Sequence, residues 1–137
     1  MTLQLTPQIL LDGTADEAIR FYAETLDAKV VFKQTYGEGP DPVPEAAKAR
    51  ISHSILSVGD SQLFVYDSFP GETVQSGNGL QICITIPDAD RTRQIFEVLR
   101  QDGKVILPLK AIHFSPLYGI VADKFGVVFQ LFTRRPA

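Results

Sequence analysis

The chain repeats itself. Displaced by about 75 positions, it brings Ile84 onto Ile9, Ile86 onto Leu11, Phe96 onto Phe21, Asp102 onto Asp27 and the pair Lys104-Val105 onto Lys29-Val30. A duplicated unit constrains the fold more than any single motif does. Each copy must bury one apolar face by itself, and whatever face remains is available to both.

Each copy reads as strand, helix and three strands. In the first, "LQLTPQILLD" (3–12) is strand-like and ends in a turn at Asp12-Gly13. The helix over 14–28 follows, with Thr14 and Glu17 in capping-box spacing and Ala15, Ala18, Ile19, Tyr22 and Leu26 on one stripe. A strand covers 29–37. The segment 37–49 contains Pro40, Pro42 and Pro44 and reads as a long loop, a place where function is often carried. Strands over 49–60 and 61–68 meet in a hairpin at Gly59-Asp60.

After a linker-like stretch (69–79), the second copy opens with "LQICITIPD" (80–88). Its alternation points Ile82, Ile84 and Ile86 one way and Gln81, Cys83 and Thr85 the other. A helix over 88–103, capped by Asp88 and stopped by Gly103, precedes strands near 104–110, 117–122 and 127–133. The expected class is α+β. Two βαβββ modules (about 1–68 and 80–137 of a single domain, 1–137) form a curved mixed sheet around a cleft, with the helices outside.

Composition narrows the partners. With 137 residues, 45% hydrophobic and 21% charged, the chain has the make-up of an ordinary globular domain. A net charge of −3 with scattered basic residues argues against nucleic acid or an anionic membrane as partner. Cys83 is the only cysteine, so neither an intrachain disulfide nor a cysteine-based zinc site can form. The N-terminus lacks a signal-peptide pattern and no apolar run reaches membrane-spanning length, so a cytoplasmic location is expected.

One residue breaks the apolar pattern of the last strand. In "DKFGVVFQLF" (123–132), Gln130 is an amide among Val, Phe and Leu, and a buried amide must find partners. Alternation puts Gln130 and Gln81 opposite Phe129, Leu131, Ile82 and Ile84. Two readings stay open: the amides face a small polar ligand, or they bond each other and the sheet rim.

Three stretches carry a family resemblance: "AIRFYAETLDAKVVFK", "ISHSILSVGDSQLFVYDSFPG" and "YGIVADKFGVVFQL". Together they span nearly the whole chain, and their order and spacing resemble the PhnB-like branch of the vicinal-oxygen-chelate superfamily. That superfamily includes glyoxalase I, bleomycin-resistance proteins and extradiol dioxygenases. Some members of the branch carry a ubiquinone-pathway methyltransferase label. This sequence has no glycine-rich strand-to-helix turn and no doubly wound pattern to support it.

The resemblance implies four metal-ligand positions. They fall on Gln130, Gln81, Val65 (matched to Gln130 across the repeat) and Thr6 or Pro7, with Gln8 adjacent. None is a carboxylate or an imidazole, so no metal and no other cofactor is expected. A register slip that turned Asp67 toward the cleft would add a single carboxylate.

The other candidates have bland readings beside the functional ones. His53 suits a hydrogen-bonded structural histidine better than a catalytic one, with Asp67 the only plausible acid-base partner. His113 is read as facing solvent; the histidine that relatives carry three residues further on is Pro116 here. Phe114 and Tyr118 match aromatic positions of the family and serve either as pocket wall or as core. Cys83 is read as a small buried hydrophobe.

The expected ligand-binding set is therefore Gln81, Gln130, His53, Phe114, Tyr118, Phe132 and Cys83, with no catalytic residue assigned. The leading reading is a metal-independent small-molecule binder of glyoxalase/bleomycin-resistance type, and the resemblance implies a homodimer. Two alternatives stand beside it. One is a metal-dependent lyase, isomerase or dioxygenase. The other is an interaction protein whose cleft is filled by Phe64, Val65, Phe129 and Phe132.

Overall fold

A computed structural model of the protein describes residues 2–135. The chain divides after Gln75 into two compact units, each with one helix and one four-stranded sheet. In the first, β1 (Gln8–Leu11), α1 (Ala15–Thr25), β2 (Lys29–Thr35), β3 (Ile51–Val58) and β4 (Ser61–Asp67) give the sheet order β1-β4-β3-β2. In the second, β5 (Ile82–Ile86), α2 (Ala89–Arg100), β6 (Lys104–Ile112), β7 (Ser115–Ala122) and β8 (Val128–Thr133) give β5-β8-β7-β6. The class is α+β with two βαβββ modules, as the repeat implies. The proline-rich segment is a loop that contains two 3-10 turns, Tyr36–Glu38 and Glu45–Ala47. No helix among the described residues is long and apolar enough to cross a membrane.

In each unit the first strand runs parallel to the last, and the remaining pairs are antiparallel. A parallel pair needs a crossover connection, and α1 or α2 supplies it, covering one sheet face. Helix α1 buries Ala15, Ala18, Ile19 and Tyr22, and α2 buries Thr92, Ile95, Phe96 and Leu99. Each large apolar side chain so buried contributes roughly 1.5–3 kcal/mol. The last strands alternate accordingly. Leu63, Val65 and Asp67 of β4, like Phe129, Leu131 and Thr133 of β8, are buried, whereas Phe64, Tyr66, Gln130 and Phe132 between them stay partly open.

Several boundaries differ from expectation. The first strand forms only over Gln8–Leu11, because Pro7 has no N–H to donate. Its carbonyl still accepts from Phe64 N at 3.0 Å, while Leu3 and Leu5 before it are exposed. Thr14 makes no capping bond. Asp67, reaching from β4, takes that role: its Oδ1 accepts from Gly13 N (2.8 Å) and Ala15 N (3.0 Å) and its Oδ2 from Ile51 N (2.9 Å). A carboxylate at a helix N-terminus also meets the positive end of the helix dipole. Asp88 caps α2 as expected, accepting from the N–H groups of Asp90 and Arg91.

Helix α2 ends at Arg100, before Gly103. The left-handed residue of the following turn is Asp102 (φ 57°), just as Asp27 (φ 52°) is in the first unit, so the repeat extends to backbone conformation. Gly103 has a different reason to be glycine: a Cβ there would collide with the carbonyl of Ala122 on β7.

Asp67 ties α1, β3 and the Asp12-Gly13 turn to one buried group. Asp67→Asn puts an NH2 against one of three backbone donors. It should lower stability by about 1–3 kcal/mol, read as a lower urea midpoint at unchanged slope. A shift below about 0.5 kcal/mol, the range of ordinary surface changes, would deny Asp67 this role.

Candidate functional site: an amide chain beside an aromatic panel

The open face of the second unit's sheet joins most of the residues singled out in the sequence. Gln130 on β8 lies between β5 and β7, opposite Cys83 and Ile120 in register. Its Nε2 donates to Gln81 Oε1 at 2.6 Å, and its Oε1 accepts from the Tyr118 hydroxyl at 2.7 Å. Gln81 Nε2 in turn donates to the backbone carbonyl of Asn78 at 3.2 Å. Of the two readings left open for the amides, bonding to each other is what the structure contains. The bonds do not exhaust the groups, since an amide has two N–H donors and an oxygen with two lone pairs.

Aromatic rings flank this chain. Phe132 is the cross-strand neighbour of Tyr118. Phe114, in the turn between β6 and β7, stacks on Phe132 (centroids 5.7 Å, interplanar angle 25°) and meets Tyr118 edge-on at 5.4 Å. Phe114 is 46% exposed, so it is a surface ring at the end of the sheet and not core. His113 is exposed, as expected, and packs edge-on against Phe114 at 5.0 Å.

Cys83 is exposed, which corrects the reading of it as a buried hydrophobe. It lies on β5, the edge strand of its sheet, and on the side away from the buried Ile86. Partial desolvation holds its thiol above the ordinary cysteine range, only partly offset by a hydrogen bond with Thr85.

His53 belongs to the first unit. Its ring packs edge-on against Phe64 (5.0 Å) and beside Phe32 (6.0 Å). Asp67 does not partner it as a catalytic acid or base: its carboxylate is buried on the helix-covered side and committed to three backbone donors. Val65 is corrected too. The pairings Ile9–Val65 and Ile84–Leu131 show that, once Ile84 is set on Ile9, Val65 corresponds to Leu131 and Phe64 to Gln130. Val65 and Phe129 are fully buried with the core, so they cannot fill the open faces.

The positions implied for a metal do not form a donor set in this geometry. Val65 is apolar and buried, Thr6 and Pro7 precede β1, and the two glutamines already bond each other and Tyr118. Among the described residues no group of three or more His, Cys, Asp or Glu is placed to hold an ion. Neutral amides that satisfy one another do not fit a divalent cation, which needs charged or imidazole donors.

The first unit also has an open depression of about 480 Å³, lined by Gln34, Tyr36, Pro40, Val43, Ser52 and Phe69 among others. Sequence reasoning flagged this loop only as long. Its hydroxyls are already used, Tyr36 Oη donating to the Asp67 carbonyl and Ser52 Oγ to that of Gln34. Burial holds the Tyr36 hydroxyl above the usual tyrosine range. The amide chain is the better candidate.

The comparisons with known proteins agree with this architecture. The sequence profile of the family described as 3-demethylubiquinone-9 3-methyltransferase matches residues 3–132. The crystal structure of PA1353 from Pseudomonas aeruginosa is 24% identical, covers 98% of this chain and 100% of its own, and gives a TM-score of 0.90. A putative 3-demethylubiquinone-9 3-methyltransferase, PhnB protein, from Bacillus cereus is 25% identical over 96% of this chain and 99% of its own, with a TM-score of 0.81. The fosfomycin resistance protein FosX from Listeria monocytogenes, a vicinal-oxygen-chelate protein, shares the fold at 10% identity, covering 98% and 94%, with a TM-score of 0.66.

The state of Cys83 generates a prediction. An exposed thiol with a raised pKa is mostly protonated at neutral pH, and only the thiolate attacks. Alkylation by iodoacetamide should therefore be slower at pH 7.5 than that of a free cysteine peptide, and should still be rising above pH 9. Faster labelling than the peptide at pH 7.5 would reveal an activated thiolate.

Proposed function

We propose that this chain, which belongs to the PhnB-like family of the vicinal-oxygen-chelate superfamily, binds a small molecule on the open face of its second sheet without using a metal. The observation that carries this reading is the hydrogen-bonded series Tyr118–Gln130–Gln81 set beside the exposed ring of Phe114. A few ordered polar groups next to apolar rings are the usual make-up of a ligand site. Gln130 is held between β5 and β7 and fixes Gln81 through their mutual bond, so the series needs little reorganisation on binding, and preorganisation favours affinity.

One feature separates this reading from the methyltransferase in the family's description, and a second separates it from a metal site. Both sheets have the order first-last-third-second with mixed strand directions, and neither has the parallel, doubly wound arrangement of nucleotide-type cofactor folds. FosX has been seen in complex with Mn(II) and a dihydroxypropylphosphonic acid, but the donor set described above differs from what such an ion requires. The proposed role is binding, with Gln81, Gln130 and Tyr118 as polar contacts and Phe114 and Phe132 as apolar wall. His53 and Cys83, also named from sequence, stand outside the core of the proposal. His53 packs in the other unit, and Cys83 offers an exposed, protonated thiol at the sheet edge.

A screen of neutral fragments by thermal shift tests the proposal, because a ligand specific to the native state must raise the melting temperature. Hits should lose about tenfold or more in affinity in Gln130→Leu, which removes both bonds of the central amide. Hits that bind wild type and Gln130→Leu equally would place the ligand elsewhere and refute the assignment.

A further inference from the structure

The hydrogen-bond series has a fixed direction, and the direction selects a ligand class. Its far end is the carbonyl oxygen of Asn78, which can only accept. Gln81 must therefore turn its NH2 toward Asn78 and its oxygen toward Gln130. Gln130 must then present its NH2 to Gln81, at 2.6 Å, and its oxygen to Tyr118. Tyr118 has one hydroxyl proton, and at 2.7 Å from Gln130 Oε1 that proton is committed. Reversing Gln81 would set its oxygen against the Asn78 carbonyl, and reversing Gln130 alone would set its oxygen against that of Gln81. The backbone carbonyl thus leaves the Tyr118 oxygen as an acceptor with no proton to give, so a group that bonds it must bring a donor.

The surroundings narrow the class. Tyr118 stands against Phe114, and Phe114 against Phe132, in a panel where a further planar ring gains offset or edge contacts. A ring panel also attracts cations. Two positive charges lie beside it: Lys110 is the cross-strand partner of Tyr118, and the Arg135 guanidinium donates to the carbonyls of Ile112 and His113 beside Phe114. Like charges oppose an ammonium group, so the donor is better neutral.

Resting on the binding site proposed above, we propose that its ligand is a neutral planar aromatic molecule bearing a hydroxyl or N–H donor, received by the Tyr118 oxygen. Four probes of similar size separate the requirements: phenol (ring and donor), anisole (ring, no donor), cyclohexanol (donor, no ring) and benzylammonium (ring and cationic donor). Binding to the full chain is followed by NMR titration, reading the ring signals of Phe114 and Tyr118 and the side-chain amides of Gln81 and Gln130.

Phenol is expected to bind about fivefold or more tightly than each of the other three, the scale of one net hydrogen bond. Its advantage over anisole should vanish in Tyr118→Phe, which keeps the ring and loses the acceptor. Because the wild-type ranking is itself a test, a variant that failed to fold would not shelter the proposal. Equal binding of phenol and anisole, or preference for cyclohexanol or benzylammonium at these residues, would overturn the ligand class while leaving the site. No response at these residues to any of the four probes would overturn the site and the class together.

Discussion

The parallel pairing of first strand to last is the contact from which the rest of each unit follows. It places β1 beside β4 and β5 beside β8, and it obliges the chain to cross over through a helix. The helix covers one face, so alternate residues of the last strand sort into buried and open sets. In β8 that sorting sends Phe129 and Leu131 inward and leaves Gln130 and Phe132 on the other side. The amide that looked out of place in an apolar run is thus on the one side of its strand where an amide can be satisfied.

The same pairing explains why the two units are alike in fold and unlike in surface. Residues at the turns into the antiparallel strands recur: Asp27 and Asp102 in left-handed turns, Lys29-Val30 and Lys104-Val105 at the starts of β2 and β6. Residues on the open faces do not recur. Phe64 corresponds to Gln130 and Tyr66 to Phe132, so the first unit presents rings and His53 where the second presents an amide series. The buried side diverges too, since Asp67 corresponds to Thr133, but there the exchanges keep a packed face, whereas on the open faces they change its chemistry.

Much of this was legible in the sequence because it depends on periodicity. Alternation in "LQICITIPD" and "GVVFQLF", the α1 stripe and the Asp88 cap are local signals, and each is met in the structure except that Leu26 falls at the C-cap of α1, only half-buried. Residues acting across long separations were misread. Asp67 lies more than fifty residues from the helix it caps, so the local capping-box pattern at Thr14 won the sequence reading although a buried carboxylate held the place. Val65 was set one residue out of register, and in a strand one residue exchanges faces. Alternation sets Cys83 opposite the isoleucines, and with no activating neighbour it reads as a small buried hydrophobe; its exposure goes with an edge strand and the open side of the sheet, which only the sheet order reveals. The direction of the Tyr118–Gln130–Gln81 series was also beyond sequence, because it is imposed by the main-chain carbonyl of Asn78.

The central proposal is that a fold shared with FosX, which has been seen with Mn(II), works here through neutral amides. It is tested most directly by the metal content of protein purified without chelator, followed by titration with Mn²⁺, Zn²⁺ and Ni²⁺. Amides that satisfy one another predict far less than one ion per chain and no saturable binding at micromolar metal. About one tightly held ion per chain, released by Gln130→Ala, would contradict it and favour a metal-dependent reading of the site.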